Sequence, residues 1–362
     1  MAIKHAAEYR NPEIARKIVE RIAQTSLRPV RLMEVCGTHT MAIFKSGIRE
    51  LLPETVTLLS GPGCPVCVTA QGEIDAFIAL AAMDDVIVTT FGDLLRVPGS
   101  DSSLQTERAR GQDIRIVYST MDALEIANKN PDKNVVFLGV GFETTAPTIA
   151  ASILSAHQMR LDNFSVLCAH KLLPPALVAL MAAEDAAIDG FILPGHVSVI
   201  IGTKAYQSFF DRFQVPCVIA GFEPVDILQA VLMLVEQLKK ERPELINAYR
   251  RVVTFDGNPK AQQMMQAVFD TTDATWRGIG TIPNSGLKIK DNLAVFDALR
   301  RFDLTVPETK DPKGCACGQI LTGQKTPIDC PLYKTACTPM HPVGPCMVSS
   351  EGTCAAYYRY HA

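Results

Sequence analysis

The sequence has no basic surplus. Its 35 Lys and Arg stand against 38 Asp and Glu, a net charge of -3 over 362 residues. Such a surface does not draw in a polyanion, so no nucleic-acid partner is expected. No apolar run approaches the roughly 18 uncharged residues of a membrane span, so no membrane span is expected either. The first residues, MAIKHAAEYRNPEIARK, carry charge where a signal peptide needs an apolar centre. These absences together point to a cytoplasmic protein. Disorder is also excluded: 48% hydrophobic and 20% charged residues describe a chain that buries cores, with length for about two or three domains.

What the chain does have is cysteine, 11 in all. In the cytoplasm thiols stay reduced, so metal or redox chemistry is expected in place of a disulfide framework. Cys64 and Cys67 lie in "LSGPGCPVCVTA", where Pro and Gly fix the backbone around a C-x-x-C spacing used for metal ligation or dithiol exchange. Cys36 lies in "EVCGTHT". Cys168 in "FSVLCAH" and Cys217 in "VPCVIAG" are flanked by strand-like apolar residues and read as small buried hydrophobes. The other six fall between positions 315 and 354.

Three regions follow from composition. Residues 11–25 read as a helix, with Asn11 as cap, Pro12 in the first turn and Ile14, Ile18 and Ile22 on one face. From about 30 to 220, strand candidates VRLMEV, VTLLS, DVIVTTF, IRIVYS, NVVFLGV, FSVLCA, GFILPG and VPCVIAG alternate with helical segments at 71–83, 121–129, 146–158 and 174–184. Alternation of this kind specifies α/β architecture with parallel sheets. A change of character near residue 130 divides it into two α/β domains, 30–130 and 131–222, facing a cleft. Residues 1–29 with 223–362 form the third, mainly helical domain with an irregular C-terminal segment. It holds the long helix "EPVDILQAVLMLVEQLKKERPE", helices near 259–269 and 291–302, and the Gly/Pro-rich stretch around Trp276.

The tail "GCACGQILTGQKTPIDCPLYKTACTPMHPVGPCMVSSEGTCAAYY" has little periodicity, and thiolate ligation would order it by coupling metal binding to folding. It lacks the paired C-x-x-C knuckles of a zinc ribbon, whereas an iron–sulfur cluster accepts wider spacings. A cluster is therefore favoured over zinc. Cys315, Cys330, Cys337 and Cys354 are chosen as ligands because they spread along the segment, with Cys317 and Cys346 as reserves.

In parallel α/β sheets functional groups gather beyond the carboxyl ends of strands. Four such loops carry polar or reactive residues: "CGTHT" (36–40), "GPGCPVC" (61–67), "GVGFETTAPT" (139–148) and "LPGHVSVIIG" (193–202). "GVGFET" lacks the third glycine of a dinucleotide fingerprint. Glu143 and Thr144 suit either a helix cap or a site, and His196 suits the cleft. His39, three residues beyond Cys36, is placed to tune that thiol.

The combination of "CGTHT", "GPGCPVC", "GFETTAPT", "PGHVS" and "CMVSSEGTCAAYY" closely resembles the [NiFe]-hydrogenase maturation factor HypD family, from about residue 30 to the C-terminus. The resemblance implies a scaffold on which the Fe(CN)2CO group of [NiFe]-hydrogenase is assembled. It implies a HypC-type chaperone and a HypE-type cyanide donor as partners, and indirectly the hydrogenase large subunit. It also implies a [4Fe-4S] cluster in the third domain and a transient iron with cyanide and carbonyl ligands in the cleft. On that reading Cys36, with His39 and Thr38, holds the iron, as soft thiolate suits low-spin iron. Cys64 and Cys67 cycle between dithiol and disulfide, and Glu143, Thr144 and His196 line the site. Two other readings stay open: an iron–sulfur-dependent thiol–disulfide oxidoreductase acting on a protein substrate, and a zinc-stapled binding module.

Overall fold

The computed structural model describes residues 8–183, 186–309 and 311–361. Residues 1–7 of the N-terminal expectation and the last position of the 174–184 helix lie outside them.

All eight expected strands form: β1 (Val30–Glu34), β2 (Val56–Ser60), β3 (Val86–Thr90), β4 (Ile114–Ile116), β5 (Asn134–Gly139), β6 (Phe164–Cys168), β7 (Gly190–Pro194) and β8 (Cys217–Ala220). Three more follow: β9 (Leu245–Asn247), β10 (Phe269–Trp276) and β11 (Gly280–Ile289). The intervening helices include Gln71–Ala81, Thr120–Lys129, Ala146–Met159 and Leu173–Ala182. Strands β3 and β7 are buried at every position, as parallel strands covered on both faces must be.

Two parallel sheets result. One has the order β2-β1-β7-β8-β9, the other β4-β3-β5-β6. The molecule is thus mixed α/β with parallel sheets. Sheet membership does not follow chain order, however: β1 and β2 join β7, β8 and β9, and β3 to β6 fill the other sheet. A break at residue 130 does not separate the sheets. Local hydrophobic patterns report that a segment is a strand but not which neighbour it pairs with, and crossovers bring residues distant in sequence side by side.

The third region departs from its mostly helical expectation. Between the helices Pro224–Lys240 and Pro259–Val268 and the tail lies the antiparallel hairpin β10–β11, with a bulge between Thr272 and Ala274. Its strand β10, FDTTDATW, carries Thr and Asp at exposed positions and apolar residues at its ends, so no clean alternation announced it. Trp276 is its anchor, fully buried and donating from Nε1 to Ser285 Oγ at 2.9 Å. The expected helix 291–302 is broken into the 3-10 turn Asp291–Phe296 and the short helix Ala298–Arg301.

The N-terminal helix Pro12–Thr25 forms as its signals specify, with Asn11 Oδ1 accepting from Glu13 N and Ile14 N. It packs on the helix Pro224–Lys240, joined by ion pairs Arg21–Glu236 and Arg10–Glu223. The tail has only short helices, Cys317–Leu321, Pro345–Val348 and Thr353–Tyr360. The last of these packs on the helix Gly37–Lys45, with Tyr357 and Phe44 ring centroids 4.8 Å apart.

Candidate metal and thiol centre

Strand β1 ends at Glu34, and the chain turns at Cys36 into the helix Gly37–Lys45. Glu34 is fully buried beneath this turn. Its Oε2 accepts from Cys36 N at 3.1 Å and its Oε1 from Thr40 Oγ1 at 2.6 Å, so one carboxyl fixes both ends of the CGTHT segment. Burial pushes that carboxyl up to about 7. Cys36 caps the helix and lines a cavity of about 550 Å3 with Thr38, Pro65, Thr144, His196 and Glu351.

Within this cavity the Cys36 thiol is pushed up to about 12, first by burial and then by the Glu351 and Glu34 charges. The backbone N–H groups of His39 and Thr38 pull it down only in part. The cysteine is therefore a neutral thiol, and a metal that displaces its proton converts it to a thiolate ligand. The His39 side chain does not provide the expected tuning. Its Nε2 bonds Gly221 O at 2.9 Å and its ring lies 4.6 Å from that of Phe222, so only its backbone N–H serves the sulfur. His196 stacks on the same Phe222 at 4.0 Å, which places Phe222 between the two imidazoles.

Thr38 and Thr144 reach the cavity, and Thr38 Oγ1 donates to Glu351 Oε1 at 2.6 Å. Glu143 does not line it. The Glu143 side chain is buried, with Oε1 accepting from Leu173 N at 2.9 Å and Oε2 without a partner. Its carboxyl rises to about 7 by burial. Sequence reasoning missed Glu351 and Phe222. Glu351 stood in the quoted tail, but that segment was read for its cysteines alone.

Strand β2 leads into the second thiol loop. Cys64 and Cys67 are joined as a disulfide spanning the first turn of the helix Pro65–Val68. The bridge is buried, with Cys64 3% and Cys67 0% exposed, behind Gly63 and Pro65, which face the cavity. The helix Pro345–Val348, carrying Cys346, packs directly on Pro65–Val68.

All six tail cysteines line one small pocket with Ile320, Leu332, Tyr333 and Met347. Cys317 and Cys346, the two reserves, stand 3.2 Å apart Sγ to Sγ. Hydrogen bonds from Cys315 and then Cys346 draw the Cys317 thiol down, and the Arg277 charge adds to this. Among the described residues no three or more His, Cys, Asp or Glu side chains converge as a single-ion site. Cys217 is fully buried as expected, whereas Cys168 is half-buried, its Sγ 3.4 Å from His170 Nδ1. Cys168 and His170 line a different cavity, of about 740 Å3, that holds none of the expected site residues. No described helix is long and apolar enough to cross a membrane.

The chain matches the family described as "HypD: Hydrogenase formation hypA family" over residues 13–361. It is 48% identical to the hydrogenase maturation factor HypD2 of Bradyrhizobium diazoefficiens, over 99% of this chain and 97% of that one. Identity to the hydrogenase maturation factor HypD of Cupriavidus necator is also 48%, again over 99% of this chain and 97% of its own length. The Escherichia coli HypD is 46% identical over 98% of this chain and 97% of its own.

Proposed function

Because the chain belongs to the HypD family of hydrogenase maturation factors, we propose that it is the cytoplasmic scaffold on which the iron of [NiFe]-hydrogenase receives its cyanide and carbonyl ligands. The observation that carries this reading is Cys36, a lone thiol at the end of β1 that faces a cavity and needs no resolving partner to ligate. Thiolate is the soft ligand that iron bearing cyanide and carbonyl prefers. The iron is cargo, bound through Cys36 with Thr38, Thr144 and His196 around it and Glu143 bracing the wall from behind. A HypC-type chaperone docks at the cavity mouth, a HypE-type protein brings cyanide, and the hydrogenase large subunit is the eventual acceptor.

The tail thiols suit a [4Fe-4S] cluster by donor chemistry: six cysteines around one pocket, of which Cys317 and Cys346 are engaged with each other. That leaves Cys315, Cys330, Cys337 and Cys354 as its four holders, the set chosen for their spread along the tail. When bound, the cluster supplies single electrons. The protein's own contribution is the order of the thiols. Cys317 and Cys346 lie between the tail pocket and the helix Pro65–Val68, and all four thiols of the two pairs belong to one core cluster. Exchange between a Cys317–Cys346 dithiol and the Cys64–Cys67 disulfide conserves electrons and protons: one pair closes as the other opens.

The same burial weighs against an oxidoreductase that acts on a protein substrate. A disulfide with 3% and 0% exposure offers no sulfur to an incoming thiol. The deciding experiment is infrared spectroscopy of anaerobically purified protein in the cyanide and carbonyl stretching region. Wild type shows the bands, and Cys36→Ala loses them while keeping its brown chromophore. Bands at full strength in Cys36→Ala overturn the reading.

A further inference from the structure

The Cys36 turn and the Cys64–Cys67 loop are tied to each other by backbone. Gly37 N donates to Gly63 O at 2.9 Å, and Gly61 N donates to Glu34 O at 2.7 Å. Gly63 approaches so closely that a Cβ added there would stand 2.1 Å from Cys36 N and 2.4 Å from its Cα. The residue beside the disulfide therefore touches the candidate iron ligand with no side chain between them. On its other side, the disulfide closes a helix of 4 residues, with Cys67 N donating to Cys64 Sγ at 3.2 Å and to Cys64 O at 3.1 Å. A single turn has too few hydrogen bonds to hold its shape without such a bridge. Cys36 itself is only 8% exposed in this state.

We propose that the Cys64–Cys67 pair is a redox clamp on Cys36: the closed disulfide presses Gly63 onto the Cys36 backbone and keeps that thiol buried, and reduction frees the loop and opens Cys36 to the cavity. Two electrons and two protons convert the disulfide to two thiols. The Cys317–Cys346 dithiol supplies them and becomes the disulfide in turn. This inference rests on Cys36 as the iron ligand and adds regulation to it: iron is accepted only once reducing equivalents have arrived. Neither loop alone carries the effect. It comes from the Gly63 contact, which transmits a change at one thiol site to the other.

The test is peptide-resolved labelling by iodoacetamide at constant pH. It uses the anaerobically purified full chain expressed without maturation partners, so that no iron cargo occupies the cavity. Reduction by a water-soluble phosphine should raise the Cys36 labelling rate about ten-fold or more, as burial gives way to access. The double variant Cys64→Ser/Cys67→Ser should label Cys36 at the fast rate with or without reductant, which separates the clamp from the tail thiols. Equal Cys36 rates in oxidised and reduced wild type overturn the clamp, as does a reductant-dependent rate in the double variant. If the double variant does not fold, the wild-type comparison decides alone. The infrared result on Cys36→Ala is independent of this outcome, so the clamp can fail while the ligand assignment stands, and the reverse.

Discussion

Cys36 stands at the end of a strand paired on both sides, β1 between β2 and β7, with a buried carboxyl bonded to its own N–H. Cys330 and Cys337 stand on chain with a 3-10 turn, Pro327–Asp329, and one bridge, Tyr333 to Cys337. The cleft thiols are placed by a hydrophobic sheet that forms without them. The tail thiols have no such frame, and the small apolar cluster of Ala316, Ile320 and Cys330 is the core nearest to them. A site built on sheet loops gains precision from the scaffold, whereas a site built on irregular chain must help to build itself.

The largest effect that tests this contrast lies in the tail. Cys330→Ala or Cys337→Ala should remove most of the bound iron and raise hydrogen exchange across residues 311–361, while the sheets stay protected. Iron and sulfide analysis with mass-resolved exchange reads both. Full iron content in either variant would defeat the four-ligand assignment.

Next comes the scaffold itself. Leu32→Ala, in the fully buried centre of β1, should cost about 2–5 kcal/mol in urea unfolding. Cys36→Ala, four residues on, should change stability by less than about 1 kcal/mol while abolishing the infrared bands, since it deletes a ligand and not a support. Comparable losses of stability in the two variants would erase the distinction between frame and ligand.

Acid–base behaviour sharpens the picture in the sheet loops. Burial raises Glu143 from its ordinary 4.5 to about 7. The unfolded chain ionises first, so stability from this group is full below pH 4.5 and is lost as pH rises through about 7. Glu143→Gln should therefore lose less stability than wild type over that window, by about 3 kcal/mol at most. His39 and His170 are shifted the other way, down to about 4 and about 3, and act alike in both proteins, so they cancel in the difference. Parallel stability profiles for variant and wild type would show that Glu143 ionises freely in the fold.

The smallest effect is expected far from both thiol regions. Lys239→Glu, on the exposed end of the helix Pro224–Lys240, should alter stability by no more than about 0.5 kcal/mol and leave chaperone binding intact. Loss of binding there, with binding retained after changes at residues 36–40, would move the docking surface off the cleft.

Legibility in the sequence tracked locality. Strand β5 announced itself as NVVFLGV because continuous apolar β-branched residues suit a strand buried on both faces. Asn11 and Pro12 announced a helix start because capping involves only neighbours. Strand β10 stayed hidden, because DTTDAT is stabilised by pairing with β11 and by Trp276 beneath, not by its own pattern. In the site, Cys36, Thr38, Thr144 and His196 were readable as polar groups after strands. Glu351 was not, since it meets Thr38 only after 313 residues of intervening chain have folded.

By itself, then, the amino-acid order determined the α/β class, the strands and helices, and which residues carry the chemistry, since periodicity, capping and side-chain type act over a few neighbouring positions. Only the tertiary structure decided which strands share a sheet, that His39 turns away from Cys36, that Glu143 lies behind the cavity wall, and that Cys317 meets Cys346. Those outcomes depend on packing and on hydrogen bonds between segments far apart in the chain, where no local pattern records the partner.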